Sequence, residues 1–77
     1  MVVTNTTDAL SAVTKASGRT LTSISESLGH KSNYVNVLIN KRHDVQTSTL
    51  ARIARECGYT LTLVPDGGGE PIEILPE

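Results

Sequence analysis

The chain has 77 residues and a single cysteine, Cys57, which predicts one small domain without a disulfide framework. A domain of this size buries only about 60% of the surface that its unfolded chain exposes, so dimer formation is expected to add stability. No apolar run approaches the roughly 20 residues of a membrane span, and the first residues do not resemble a signal peptide, which favours a cytoplasmic protein.

Charge is distributed unevenly along the chain, although the net charge is only −1. Residues 1–65 contain all 7 lysines and arginines and four acidic residues, a balance of 7 − 4 = +3. Residues 66–77 contain the other four acidic residues and no lysine or arginine, a balance of −4. Phosphate binding requires a localised positive face rather than a positive total, so these charges do not exclude a nucleic-acid partner.

Helical spacing of apolar residues predicts four helices, with Ser, Thr or Asn as N-caps and glycines after several of the ends. The first helix spans 8–16 and is capped by Asn5, Thr6 or Thr7, and the second is capped by Thr20 and turns Leu21, Ile24 and Leu28 inward. The third helix spans 32–40 and turns Val35, Leu38 and Ile39 inward. The fourth is capped by Thr47 or Ser48 and turns Leu50, Ile53, Ala54 and Cys57 inward.

The periodicity changes after Gly58, because residues 60–64 alternate polar and apolar side chains and predict a strand. Residues 65–69 are rich in glycine and are expected to be flexible. Residues 71–75 form either a second short strand or a tail that becomes ordered on binding. A single edge strand in a small domain needs a partner, which is either a two-fold related copy or 71–75 of the same chain.

The outer face of the third predicted helix carries the main functional signal. Residues 32–40 contain no charged side chain, whereas solvent-facing helix surfaces favour Glu, Lys and Arg. Asparagine can bond the N6/N7 edge of adenine, serine can bond several bases, and a small apolar group can contact the thymine methyl. The candidates for base contacts are Ser32, Asn33, Asn36 and Val37.

Cationic residues flank this polar face at both ends. Lys31 precedes the face, and Lys41, Arg42 and His43 follow it. Lysine and arginine commonly contact DNA phosphates and so orient a recognition helix in the major groove, and we expect the same of this flanking cluster. Tyr34 either packs against the second helix or contacts the DNA.

Several short segments, taken in their order along the chain, resemble those of a known family. They are Gly18-Arg19-Thr20, Ile24-Ser25-Glu26-Ser27-Leu28-Gly29, the buried positions Val35 and Leu38, Asn40-Lys41-Arg42, and Ser48-Thr49-Leu50-Ala51-Arg52-Ile53-Ala54. Residues 8–64 thereby resemble the lambda-repressor-like, Cro-type (XRE) helix-turn-helix domain. The resemblance implies a mainly α, compact four-helix domain over 1–59, followed by a C-terminal strand or short hairpin and an acidic, glycine-rich tail over 60–77.

The resemblance also implies roles for individual residues. It supports the base contacts named above and implies phosphate contacts at Asn40, Lys41 and Arg42, and near Thr20. Leu21 stands where many members have a glutamine that anchors a phosphate, so that contact is expected to be missing. Lys41 stands where glycine is common.

The strand over 60–64 is similar to that of antitoxin-like members, which pair such strands across a dimer. This similarity implies a dimer interface at Leu61 and Leu63.

These observations lead to two functional hypotheses. The first is a homodimeric repressor, from a phage or a bacterium, that binds a palindromic double-stranded DNA operator. The alternative is an antitoxin that binds a toxin and represses its own operon. We do not expect an enzyme, a cofactor or a metal site, because the sequence lacks paired carboxylates, a nucleophile with a base and a phosphate loop, and His30 and His43 are widely separated.

Overall fold

The computed structural model describes residues 1–41 and 44–76, which form four helices followed by two short strands. The elements are α1 (Thr6–Ala16), α2 (Leu21–Ser27), α3 (Tyr34–Lys41), α4 (Thr47–Glu56), β1 (Leu61–Leu63) and β2 (Ile72–Ile74). The prediction of a mainly α domain followed by a C-terminal strand or short hairpin is confirmed, and of these two alternatives the structure has the hairpin.

The first two helices begin at side chains that cap them. The Asn5 side-chain oxygen accepts the Asp8 N–H at 2.7 Å, and α1 therefore begins earlier than residue 8. The Thr20 hydroxyl accepts the Ser23 N–H at 3.0 Å at the start of α2, as predicted. Each cap satisfies an N–H group that has no partner within the first helical turn.

The third helix begins two residues later than predicted. The Tyr34 N–H donates to the Lys31 carbonyl at 3.0 Å in a tight turn, and the helical ladder starts with the Val37 N–H donating to the Asn33 carbonyl at 2.9 Å. Ser32 and Asn33 therefore lie in the turn that precedes α3, and residues 32–40 form a turn followed by a helix rather than one continuous helix.

The predicted caps of the fourth helix are wrong. Thr47 and Ser48 both lie inside α4, and Gln46 occupies the N-cap position without a side-chain cap hydrogen bond. The Gln46 carbonyl accepts the Leu50 N–H at 2.9 Å, which starts the helical ladder one residue before the predicted position.

The core takes one fully buried aliphatic side chain from each helix. Leu10, Ile24, Val35 and Ile53 are each 0% exposed. Val45 joins this cluster from the segment before α4, although no helical periodicity predicts it there. Ordinary amphipathic spacing therefore identifies most of the core but misses its contribution from a loop.

The C-terminal strands pair with each other in an antiparallel hairpin within the chain. Leu61 lies opposite Ile74, and Leu63 lies opposite Ile72. Opposed side chains share a face and alternate along a strand, so these four aliphatic residues lie on one face of the hairpin. Leu61 packs against the helical core, whereas Leu63 is 58% and Ile72 is 62% exposed. We call this surface the hairpin face; its inner half is partly covered and its outer half is exposed.

Candidate nucleic-acid interface

A buried serine joins α2 to α3. Ser25 is 0% exposed, its hydroxyl donates to the Leu21 carbonyl at 2.7 Å, and the same oxygen accepts the Val35 N–H at 3.1 Å. The Ser25 carbonyl also accepts the His30 N–H at 3.1 Å across the turn at Gly29. The N–H groups of a first helical turn have no partner within the helix. Ser25 therefore supplies the hydrogen-bond acceptor that the Val35 N–H needs, and this bond holds the start of α3 against α2.

The turn and α3 present a polar outer surface. The residues Ser32, Asn33, Asn36 and Asn40 are exposed, whereas Val37 is partly buried. Val35 points in the opposite direction and is fully buried in the core. The structure therefore brings the predicted base-contact residues together on the turn and the outer surface of α3. We call this set, Ser32, Asn33, Asn36 and Val37, the polar face.

Two amide side chains on α3 bond to each other. Asn40 Nδ2 donates to Asn36 Oδ1 at 3.1 Å. An amide oxygen has two lone pairs, so this bond leaves Asn36 able to accept and donate toward an adenine edge. In this structure the Asn40 side chain, predicted to contact phosphate, orients the Asn36 amide.

A shallow groove follows one side of α3. Its described lining residues are His30, Lys31, Asn33, Tyr34, Val37, Leu38 and Lys41, which include two cationic and no acidic side chains. We call this side the cationic flank. The Tyr34 ring packs against the core and stacks on the His30 ring, with centroids 3.8 Å apart and planes inclined by 11°.

The other side of α3 has the opposite character. The groove between α3 and α1 is lined, among the described residues, by Asn5, Thr7, Asp8, Ser11, Ile39, Asn40 and Asp44. Asp8 and Asp44 make this side acidic, and we call it the acidic flank. A polyanion therefore meets different electrostatic conditions on the two sides of α3.

The remaining predicted phosphate contacts divide into three groups. Lys31 and Lys41 are exposed and border the polar face. Thr20 is exposed, but its hydroxyl is engaged in capping α2. Arg42 and His43 lie outside the described residues.

Arg19 has a structural role that the sequence did not reveal. Its guanidinium pairs with Glu56 Oε1 at 3.2 Å and bonds the Glu56 carbonyl at 3.3 Å. It also donates to the Ser27 hydroxyl at 2.8 Å and to the Ser23 hydroxyl at 3.1 Å. Arg19 therefore connects α2 with the end of α4, and its partner Glu56 is 37 positions away in the chain.

Comparison with protein-family models, with curated proteins and with solved structures finds no match to this chain. None of the helices within 1–41 and 44–76 is both long and apolar enough to cross a membrane.

Proposed function

We propose that the protein is a helix-turn-helix DNA-binding repressor of the lambda-repressor-like type, acting in the cytoplasm, with α3 and its preceding turn in the major groove. The observation that carries this proposal is the uncharged polar face on α3 and its preceding turn, which is exposed at Ser32, Asn33 and Asn36 and has Lys31 and Lys41 beside it. The major groove is about 12 Å wide and admits an α-helix, so such a face can reach base edges.

The contact between α2 and α3 supports this proposal. Ser25 holds the start of α3 through the Val35 N–H, so the polar face projects from a rigid support. A base-reading surface depends on such support, because its side chains must be held near the productive geometry. Asn36 is the residue best suited to read a base, since its amide is oriented by Asn40.

DNA binding is tested by fluorescence anisotropy with DNA from the region upstream of the protein's own coding sequence and with scrambled DNA, across a salt series. We expect selective binding that weakens steeply with salt, because phosphate contacts release counterions. Asn36→Ala is expected to lose about 1–3 kcal/mol of binding free energy at the cognate site.

The matched control is Thr60→Ala, an exposed residue between α4 and β1. It is expected to bind as the wild type does. Equal and weak binding of the wild type to both DNAs would contradict sequence-specific recognition, and unchanged affinity of Asn36→Ala would remove that residue from the set of base contacts.

We further propose that the repressor is a homodimer that associates through the hairpin face. The outer half of this face is aliphatic and exposed at Leu63 and Ile72, and Leu61 lies at its inner edge. An isolated two-stranded hairpin is marginally stable in water, so a second copy would both cover this face and support the strands. Two-fold symmetry would present two α3 helices to a palindromic operator with half-sites about one DNA turn apart.

The double variant Leu63→Ser, Ile72→Ser tests this interface. Sedimentation is expected to show a monomer, and operator binding is expected to weaken because one half-site is lost from each complex. Glu73→Gln is the control, since residue 73 alternates with Ile72 and Ile74 and lies on the other side of the hairpin. A wild-type protein that remains monomeric at concentrations that saturate the DNA would contradict the dimer.

The hairpin also favours a second candidate function, that of an antitoxin. A toxin could cover the same aliphatic face, with Asp66 and Glu70 supplying negative charge in the loop that joins the two strands. Deleting residues 66–77 would remove β2 and disrupt the hairpin, so the point variants above are the better test. Co-purification of a neighbouring gene product that is lost in Leu63→Ser, Ile72→Ser but retained in Asn36→Ala would favour this function.

A further inference from the structure

The stacked pair of His30 and Tyr34 forms a wall of the groove on the cationic flank. We propose that His30 belongs to the DNA interface, where its ring positions the Tyr34 side chain. Tyr34 held in this way would contact a DNA strand that follows the cationic flank of α3. This inference rests on the proposed DNA-binding function and assigns to His30 a positioning role rather than a metal-binding role.

His30 is anchored through both its backbone and its ring. Its N–H donates to the Ser25 carbonyl at 3.1 Å, which connects it to α2. Its ring lies 3.8 Å from the Tyr34 ring at an interplanar angle of 11°, so the two rings restrict each other. Tyr34 is partly buried against the core while His30 is exposed, and the imidazole therefore covers the solvent side of the pair.

The position of Tyr34 matters because of its polar end. A tyrosine hydroxyl can donate to a phosphate oxygen, and such contacts set the register of a protein on the duplex. Lys31 and Lys41 line the same groove as the stacked pair, so a phosphate that meets the hydroxyl also meets positive charge. The stacked rings limit the directions in which the Tyr34 side chain can turn.

The distribution of acidic residues selects this side of α3. Asp8 and Asp44 line the groove toward α1, where a phosphate would be repelled. Asp44 also lines, together with Tyr34 and Lys41, the cleft that leads to the start of α4, whereas the groove that holds His30 and Lys31 has no acidic side chain among its described lining residues. The most favourable position for a phosphate is therefore at the Lys31 end, beside His30 and Tyr34.

The first test compares His30→Ala and His30→Phe by anisotropy on the upstream DNA used above. A stacked aromatic pair typically contributes a small but measurable energy, so His30→Ala is expected to bind about three- to tenfold more weakly. His30→Phe keeps the stack and is expected to restore affinity to within about twofold. Wild-type affinity in His30→Ala, or equal loss in both variants, would overturn the positioning role.

The second test measures the path of the DNA strand. Lys31→Ala is expected to reduce the slope of log affinity against log salt by about one unit, because one phosphate contact is lost. Lys15→Ala, an exposed lysine at the end of α1, is the matched control and should leave the slope unchanged. An unchanged slope in Lys31→Ala would overturn the proposed path. A wild type that does not bind DNA would instead reject the proposed function itself.

Discussion

The helical part of the molecule and the hairpin use aliphatic side chains in opposite ways. Leu10, Ile24 and Ile53 in the helices are 0% exposed, whereas Leu63 and Ile72 in the hairpin are more than half exposed. The helices, together with Val45 from the segment before α4, therefore enclose a buried core, whereas the described residues cover the apolar face of the hairpin only at its inner end. This difference indicates that the helical part is stabilised by its own packing and that the hairpin is suited to contact another surface.

The largest expected effect on the free energy of unfolding comes from truncating a side chain in the helical core. Ile53→Ala removes a fully buried side chain and is expected to lower the free energy of unfolding by about 2–5 kcal/mol. Leu63→Ala truncates an exposed aliphatic side chain and is expected to change it by about 0.5 kcal/mol or less in the monomer. Urea denaturation at low protein concentration measures both.

A small domain with Ile53→Ala could lack a folded baseline, so Ile53→Val provides a second measurement. Its expected loss is about 0.5–1.5 kcal/mol. Similar losses for Ile53→Val and Leu63→Val would show that the two regions do not differ in packing, contrary to the comparison.

The next effect concerns the polar link between α2 and α3. Ser25→Ala leaves the Val35 N–H without its side-chain acceptor in the core and is expected to lower the free energy of unfolding by about 1–3 kcal/mol. Amide hydrogen exchange at Val35 is expected to become faster. Ser48→Ala, an exposed serine on α4, is the control. Unchanged exchange at Val35 would argue against Ser25 as the residue that fixes α3.

A smaller effect is expected where Arg19 connects α2 with α4. Arg19→Lys keeps the positive charge but loses the planar fork that reaches Glu56, Ser23 and Ser27 together. Because the Arg19 and Glu56 side chains are about one-third exposed, we expect a loss of only about 1 kcal/mol in the free energy of unfolding. Arg55→Lys, at an exposed position, should be neutral in the same thermal or urea measurement.

The smallest effect is a pH dependence at Cys57. Burial raises the pKa of the Cys57 thiol, while its hydrogen bond with Ser17 and the charge of Arg19 oppose this rise. The folded state thus favours the protonated thiol. This contribution to stability is complete below the pKa of the unfolded cysteine and is lost as the pH rises through the higher folded value.

Alkylation of Cys57 at pH 8 is therefore expected to be slower than that of a free cysteine, since the thiolate is the reactive form. Cys57→Ala should remove the corresponding alkaline loss of stability. A thiol that reacts in the folded protein as fast as in the urea-unfolded chain would contradict the raised pKa.

The sequence predicts features that depend on neighbouring residues. The Thr20 cap, the four helices and most core positions follow from local signals and helical spacing. The start of α3 was missed because the turn from Lys31 to Tyr34 competes with the helical ladder, and residues 32 and 33 have no side-chain pattern that separates the two.

Features that depend on distant residues were not predictable in the same way. Ser25 lies ten positions before Val35, whose N–H donates a hydrogen bond to the Ser25 hydroxyl. Arg19 lies 37 positions before Glu56, its ion-pair partner. Val45 enters the core from outside any periodic segment. The choice between a hairpin and a strand paired across a dimer was likewise open, because alternation shows that a strand needs a partner but does not identify it.

The hydrogen bond between Asn36 and Asn40 has a consequence for how binding preference could change during evolution. Because one amide orients the other, replacing Asn40 would change the orientation of the Asn36 side chain without altering the buried core. Residues in such direct contact generally show an interaction energy, so we expect the two positions to change together rather than singly. Under the proposed function, a new operator preference would arise from paired substitutions at positions 36 and 40, while the buried Val35 and the Ser25 hydroxyl that accepts its N–H keep α3 in place.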